Sequence, residues 1–180
     1  MNHIAEYDNI IQQEHQDTIE KSIGGKKFPW NYKIGATHSD GVDNIYGFVK
    51  VLYFKFNSDI PDQKYINLLS PLLRSAIAKY DSAANLKDVF RIRAGLFTKN
   101  QNDGRDHLPH IDFTLKHHTM IYYVNDSDGP TSLFDDNKKL IYTCHPKKGR
   151  CLIFPGETYH SSAEPKLYPH RIAITFNFLL

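Results

Sequence analysis

A mainly β fold, a sandwich or barrel with helices packed on one side, is predicted from three observations. From Val89 onward, short apolar runs recur: VFRIRAGLF, LPHIDFTL, HTMIYYVN, TSLFD, KLIYTC, RCLIFP, ETYHSS and HRIAITFNFLL. The segments between them, among them NQNDG, DSDGP, DDNK and HPKKG, are rich in turn-forming residues. The two stretches with helical periodicity both precede these strands, an order that places helices against one side of a β core.

In chain order, Ile4, Tyr7, Ile10, Ile11 and Ile19 fall at roughly helical spacing, which predicts an amphipathic helix over the first 22 residues, interrupted near Gln16. Residues 24–44 read as irregular, because Gly24-Gly25, Phe28-Pro29-Trp30 and Gly41 break any period. Tyr46 to Phe56, YGFVKVLYFKF, is rich in aromatic and β-branched residues and predicts a strand. A helix follows from Ile60-Pro61-Asp62 to about Tyr80. Its apolar face is Tyr65, Leu68, Leu69, Leu72, Leu73 and Ile77, with a kink expected at Pro71. The eight runs named above then supply the β core. One domain is expected over 1–180, with 1–88 as helical support plus a first strand and 89–180 as the core.

Composition narrows the function. The hydrophobic fraction of 41% with 13% aromatics fits a folded globular chain. A formal net charge of +2 with scattered lysines argues against a nucleic-acid partner, and the pairs Lys26-Lys27, Lys138-Lys139 and Lys147-Lys148 read as solvated turns. The N-terminus, MNHIAEYDNIIQQEHQD, lacks the apolar region of a signal peptide, and no run approaches 18 apolar residues. Cys144 and Cys151 could reach adjacent strands, but two cysteines make no disulfide framework, and buried free thiols are expected. A soluble, cytoplasmic protein with no membrane partner follows as the expectation.

The chain contains three His-x-Asp matches: His15-Gln16-Asp17, His38-Ser39-Asp40 and His110-Ile111-Asp112. With 10 His and 15 Asp in 180 residues, about one is expected by chance, so context must choose among them. On a helix, positions i and i+2 diverge by about 200°, so His15 and Asp17 cannot share a metal through one face. His38 and Asp40 lie in the irregular segment. On a strand, by contrast, His110 and Asp112 project from one face. A third ligand is offered by His160, separated from Asp112 by 47 intervening residues and about four short strands. Two histidines and a carboxylate on one face suit iron(II) with open positions. Arg171, with ten residues between it and His160, opens a strongly apolar strand, where a buried guanidinium needs an anion such as a carboxylate.

His-x-Asp, a distant His and then Arg, in this order and spacing, resemble the iron(II)- and 2-oxoglutarate-dependent oxygenases, and within them the prolyl 4-hydroxylase-like group. The resemblance is carried by HLPHID, TMIYYVNDSDGPTSLF, HPKKGRCLIFPGETYHSSAEP and RIAITFNF, roughly residues 90–179. The short length and the Phe-Pro-Trp segment are similar to small oxygenases of this group in bacteria and marine phages, which extends the expectation to a phage-encoded enzyme acting in a host cell. The resemblance implies a double-stranded β-helix, a jelly-roll-like, cupin-type core. It implies Fe(II) on His110, Asp112 and His160, and 2-oxoglutarate and O2 as cosubstrates, with ascorbate as an accessory reductant. It further implies Arg171 and Tyr123 on the distal carboxylate of 2-oxoglutarate. Thr119 and Ile121 share the face of Tyr123, and Thr175 and Asn177 share the face of Arg171 near the cosubstrate and the substrate mouth. The activity implied is hydroxylation of a prolyl residue in a peptide or protein, with 2-oxoglutarate converted to succinate and CO2.

Two departures stand out. Collagen-type relatives usually carry Lys where this chain has Arg171, and VFRIRAGLFTKNQNDGRD lacks the tyrosine that some relatives place before His-x-Asp. In that stretch Arg91 or Arg93 takes a polar role, Arg93 toward substrate with Asn177, or both lie on the surface. His117, His118, His145 and His170 read as structural, and Asp126, Asp128, Asp135 and Asp136 as turn residues. Three other readings remain: an oxygenase acting on a small molecule or another residue, a zinc hydrolase with Glu157 as its base, and a metal-free β-sandwich binding module. Oligomeric state is not legible in the sequence.

Overall fold

A computed structural model describes residues 3–34, 46–57, 62–99 and 106–180. Ten strands and two helices follow in the order β1 (Ala5–Tyr7), α1 (Gln13–Ile23), β2 (Asn31–Ile34), β3 (Tyr46–Phe54), α2 (Gln63–Tyr80), β4 (Asp88–Thr98), β5 (His118–Tyr123), β6 (Thr131–Phe134), β7 (Leu140–Cys144), β8 (Cys151–Pro155), β9 (Tyr159–Ser162) and β10 (His170–Leu179). A seven-stranded sheet runs β1-β8-β5-β10-β4-β3-β2, and a three-stranded sheet runs β7-β6-β9, with every pairing antiparallel. This is the double-stranded β-helix, mainly β with two helices in support.

Alternation along the strands divides the large sheet into two faces. On β10, Ile172, Ile174, Phe176 and Phe178 enter a core shared with Ile19 and Ile23 of α1 and Leu69, Leu72, Leu73, Ala76 and Ile77 of α2. Each fully buried side chain of this kind, such as Phe176 or Phe178, contributes about 1.5–3 kcal/mol. The intervening residues Arg171, Ala173, Thr175 and Asn177 face the other way. There, Ile121, Tyr123, Leu152, Phe154 and Ala173 pack with Leu133 and Cys144 of the small sheet. Both helices thus cover one side of the large sheet, and the second side is left for a cavity.

Several local expectations change. The N-terminal segment is a strand and then a helix, not one amphipathic helix. Ile4 packs toward the small sheet while Ala5 and Tyr7 pack toward the helices, so the period there is two, and β1 completes an edge beside β8. Gln16 does not interrupt α1: it is buried, and its amide donates to Ile11 O at 2.9 Å and to Asn9 Oδ1 at 3.3 Å. The irregular segment contains β2, and its part from 35 to 44, with His38 and Asp40, lies outside the described residues. Ile60 and Pro61 also lie outside them; α2 begins after Asp62 and continues through Pro71.

LPHIDFTL is not a continuous strand. Pro109 has no N–H to give a ladder, and among the described residues the segment from 106 makes two isolated bridges, His110 with His160 of β9 and Asp106 with Ala163 just past it. Lys147 and Lys148 are also more than solvated turn residues. Lys148 reaches Asp17 at 2.6 Å and Glu20 at 2.5 Å on α1, and Lys147 reaches Asp8 at 2.8 Å. Their turn fits closely against α1: Gly149 has φ +80, and a Cβ there would meet the Gln16 amide at 2.2 Å. The cysteines are free and buried, and they lie in different sheets, one in β7 and one in β8. No helix among the described residues is long and apolar enough to cross a membrane.

The β1 edge is anchored by charge. Arg150 Nε donates to Asp8 Oδ1 at 2.7 Å, and Arg150 also meets Glu6 at 3.0 Å. These contacts hold the Asp8 carboxyl down at about 2, chiefly through its hydrogen bond with Arg150. A carboxyl lowered in the folded state stabilises above its unfolded value near 4 and loses that contribution as pH falls toward 2. Asp8→Asn is therefore expected to cost on the order of 1 kcal/mol at pH 7, discounted for partial exposure, with the difference vanishing near pH 2. Urea titrations of both proteins across that range test it.

Candidate active site

The three candidate ligands arrive from two neighbouring segments of chain. His110 and His160 form a backbone bridge, His110 N donating to His160 O and His160 N to His110 O, both at 2.9 Å. Residues paired in this way present their side chains on one face, and the two rings lie 4.5 Å apart between centroids. Asp112 follows on a bend rather than a strand, and its side chain is 6% exposed. The ligand atoms of His110, Asp112 and His160 all lie within 4.8 Å of one another.

Each ring is oriented by a backbone carbonyl two residues earlier. His110 Nδ1 lies 3.2 Å from Leu108 O, and His160 Nδ1 lies 3.2 Å from Thr158 O. Both contacts favour the tautomer in which Nδ1 carries the proton and Nε2 the lone pair that a metal takes. Burial pushes the His160 ring down from its ordinary value, against the opposing pull of Asp112, and so keeps it a neutral donor.

Asp112 is held on both oxygens. Arg91 Nη2 is 2.5 Å from Oδ1, and Asn177 Nδ2 donates to Oδ2 at 2.9 Å. Arg91 Nε in turn donates to Asn177 Oδ1 at 3.1 Å, closing a ring of contacts. Burial alone would raise the Asp112 carboxyl, but Arg91, His160 and Asn177 together outweigh it and hold the group well below the usual carboxylate range. It is an anion at any physiological pH. Two imidazole nitrogens and one carboxylate oxygen are a donor set suited to a divalent first-row metal.

Arg171 is buried farther along the same sheet face. Its Nε donates to Gly129 O at 2.8 Å and its Nη2 to Thr131 Oγ1 at 2.9 Å. Tyr123 donates to the same Thr131 hydroxyl at 2.7 Å and lies beneath the guanidinium, 5.4 Å from ring centroid to Cζ. Burial pushes the guanidinium down, and the Tyr123 hydroxyl and Cys144 thiol pull it up.

A single cavity joins the groups, enclosing about 540 Å³ including its open mouth. His110, Asp112, His160 and Arg171 line it, with Ile121, Thr175 and Arg93 from the sequence-derived set. Tyr123 lies behind Arg171 rather than in the wall. Thr119 lies behind Asn177, accepting from its amide at 3.1 Å and meeting His117 Nε2 at 3.2 Å. Arg91 and Arg93 are not surface residues: both are on the cavity face of β4 and face Asn177 and Thr175 of β10.

The sequence did not single out Thr131, Gly129 or the Arg91–Asn177 pair in these roles, since nothing in the spacing of DGPT or RIR marks a contact made across strands. The other two His-x-Asp matches take no part. His15 Nε2 meets Leu68 O at 2.8 Å, so that residue ties α1 to α2 rather than lying free on the surface, and Asp17 pairs with Lys148. Asp128 and Asp135 cap turns by accepting backbone N–H groups. Glu157 is exposed and outside the cavity wall, which removes the base that a zinc hydrolase would need.

Residues 96–179 match the family model of the 2OG-Fe(II) oxygenase superfamily. No curated protein sequence matches the chain. Among solved structures it is similar to a Trichoplax adhaerens prolyl hydroxylase in complex with a peptide fragment of the hypoxia inducible factor oxygen degradation domain. That likeness has a TM-score of 0.69 at 16% identity, covering 99% of this chain and 84% of that one. A Pseudomonas putida prolyl-4-hydroxylase gives 0.64 at 13% identity, covering 100% and 94%. SnoN, a non-heme alpha ketoglutarate dependent epimerase of nogalamycin biosynthesis, gives 0.67 at 11% identity, covering 99% and 78%. At such identities the likeness is one of fold, and it spans hydroxylases and an epimerase alike. Residues 96–179 are thus similar to the 2OG-Fe(II) oxygenase superfamily, and the chain shares its fold with prolyl hydroxylases.

Proposed function

We propose that this chain is an Fe(II)- and 2-oxoglutarate-dependent dioxygenase that hydroxylates a prolyl residue in a peptide or protein. The observation that carries the oxygenase reading is the sharing of one cavity by the His110, Asp112 and His160 donors and the buried Arg171 guanidinium. The prolyl substrate rests on the prolyl hydroxylase-like motifs and on the fold shared with enzymes of that name, one of them seen with a peptide.

In this reading His110, Asp112 and His160 hold the iron through Nε2, a carboxylate oxygen and Nε2. Arg171 receives the distal carboxylate of 2-oxoglutarate, with Thr131 beside it and Tyr123 supporting both from below. Ile121 and Thr175 form the wall along which the cosubstrate lies. Arg91 and Asn177 keep Asp112 ionised and aimed, the orienting role that partners of metal ligands usually play. Thr119 steadies Asn177 from behind. Iron and 2-oxoglutarate, when bound, supply the oxidation: O2 is consumed, 2-oxoglutarate leaves as succinate and CO2, and one oxygen atom enters a substrate C–H bond. The protein contributes geometry and shelter from water.

Three outcomes are expected. Asp112→Ala loses iron affinity by more than about 100-fold and loses turnover, whereas Asp17→Ala keeps both; anaerobic titration, following the weak green absorption of the iron–2-oxoglutarate chelate, reads this. Arg171→Ala leaves iron binding intact and raises the 2-oxoglutarate requirement about 10–100-fold, as expected for a lost charge-assisted pair of about 1.5–3 kcal/mol. Incubation with proline-rich peptides gives a product heavier by one oxygen atom in mass spectra. Turnover confined to free amino acids, nucleobases or other small molecules would refute the prolyl assignment and leave the oxygenase intact.

A further inference from the structure

The enclosed end of the cavity holds two hydroxyl groups side by side, and each has another polar group behind it. Thr131 on β6 pairs with Ser162 on β9, so the two side chains project from one face, and both line the cavity. The Thr131 oxygen accepts from the Tyr123 hydroxyl at 2.7 Å and from Arg171 Nη2 at 2.9 Å. With its lone pairs taken, its own proton is left to point elsewhere. Ser162 Oγ lies 2.8 Å from His107 Nδ1.

His107 is buried behind the cavity wall and fixed by two further contacts. Its backbone N–H donates to Ser162 O at 2.9 Å, and its ring meets the Phe97 ring edge-on, with 4.5 Å between centroids. Phe97 lines the cavity and pairs with Arg171 across β4 and β10. From Ser162, therefore, one path of contacts leads through Thr131 to Arg171, and another leads through His107 and Phe97 to the same residue. The serine hydroxyl stands at the Arg171 end of the cavity.

Arg171 leaves room for such a donor. Its Nε is given to Gly129 O and one Nη2 hydrogen to Thr131. The edge left for a carboxylate is the one between Nη1 and Nη2, and two parallel bonds there use about half of the four lone-pair sites of a carboxylate. Other donors must meet the rest. A hydroxyl proton rotates to its best acceptor, and an ionised carboxylate is a stronger acceptor than a neutral imidazole nitrogen.

We infer that Ser162 is a second hydroxyl donor, beside Thr131, to the distal carboxylate of the cosubstrate, and that His107 is the positioning residue that turns its proton into the cavity. His107 donates from Nδ1 to the Ser162 oxygen, as Tyr123 donates to Thr131, and the serine O–H is given to the carboxylate. The pair makes the cavity select a 2-oxo acid by its far end. The inference rests on the iron–2-oxoglutarate reading of the cavity and deepens it by naming what recognises the distal carboxylate besides Arg171.

The test separates a role toward that carboxylate from a structural one. Anaerobic titration of the Fe(II)-loaded protein, following the chelate absorption, compares 2-oxoglutarate with 2-oxopentanoate, which has the same number of carbons and no distal carboxylate. Ser162→Ala is expected to weaken 2-oxoglutarate about tenfold and to leave 2-oxopentanoate within about twofold of the unaltered protein. His107→Phe, which keeps a ring against Phe97, gives a loss like that of Ser162→Ala, and the double variant loses no more than either alone. His107→Asn, whose amide nitrogen reaches the place of Nδ1, keeps 2-oxoglutarate within about threefold. A Ser162→Ala affinity for 2-oxoglutarate within about twofold overturns the inference, and so does an equal loss for both acids, which marks a structural role. Losses that multiply in the double variant, or a His107→Asn as weak as Ser162→Ala, overturn the positioning role of His107. Should His107→Phe not fold, Ser162→Ala decides the serine and His107→Asn the histidine. Absence of the chelate absorption with either acid in the unaltered protein overturns the underlying reading, and is seen before any variant is made.

Discussion

A carboxylate enclosed between two sheets either takes up a proton or is held as an anion by its neighbours, and the centre of this structure is arranged for the second outcome. Asp112 is almost without solvent, yet a guanidinium meets one oxygen and an amide the other. The amide is tied back to the same guanidinium, so neither partner can turn away independently. A buried anion held in this way keeps its charge and its direction, which are the two properties a metal ligand requires. The strands that supply Arg91 and Asn177 are central in the large sheet, and their opposite face is the main hydrophobic core. Packing of α1 and α2 therefore sets the register on which the polar side depends.

The two faces of the large sheet divide the labour. One is sealed by helices and contributes apolar burial. The other carries polar residues in rows, since antiparallel neighbours bring Asn177 beside Arg91 and Thr119, and Thr175 beside Arg93 and Ile121. The small sheet closes over these rows with His160, and the 106–110 segment pairs along its edge to bring His110 opposite. The site thus forms where two sheets face each other, and no single motif contains it. Arg171 lies at the enclosed end, on Gly129 and Thr131, while Gly95 and Arg93 lie toward β3 and β2.

Much of the candidate site was legible because its chemistry is written in residue types that are costly to bury. A His-x-Asp pair in an apolar run, a later His and an Arg opening an apolar strand each demand a partner, and together they demand one another. The fold class was legible from the short apolar runs and their turns. The N-terminal strand was misread because Ile4 and Tyr7, three residues apart, satisfy a helical period by coincidence; Ala5, too small to weigh in that pattern, is what packs with Tyr7 on the sheet. The strand expected at LPHIDFTL fails at Pro109, yet the two ligands still converge, since a single bridge and a bend suffice to aim them.

By itself, the sequence determined a β core with helices ahead of it, and it singled out His110, Asp112, His160 and Arg171 as candidate metal donors and a candidate partner for a carboxylate. Those follow from periodicity and from the energetic demands of buried charge, both local properties of the chain. Only the tertiary structure decided that Arg91 holds Asp112, that Asn177 completes the clamp, that Thr131 rather than Tyr123 stands in the wall beside Arg171, and that Arg93 enters the cavity. Each of these contacts crosses strands far apart in the chain, and the register between strands is set by the packing of both sheet faces at once.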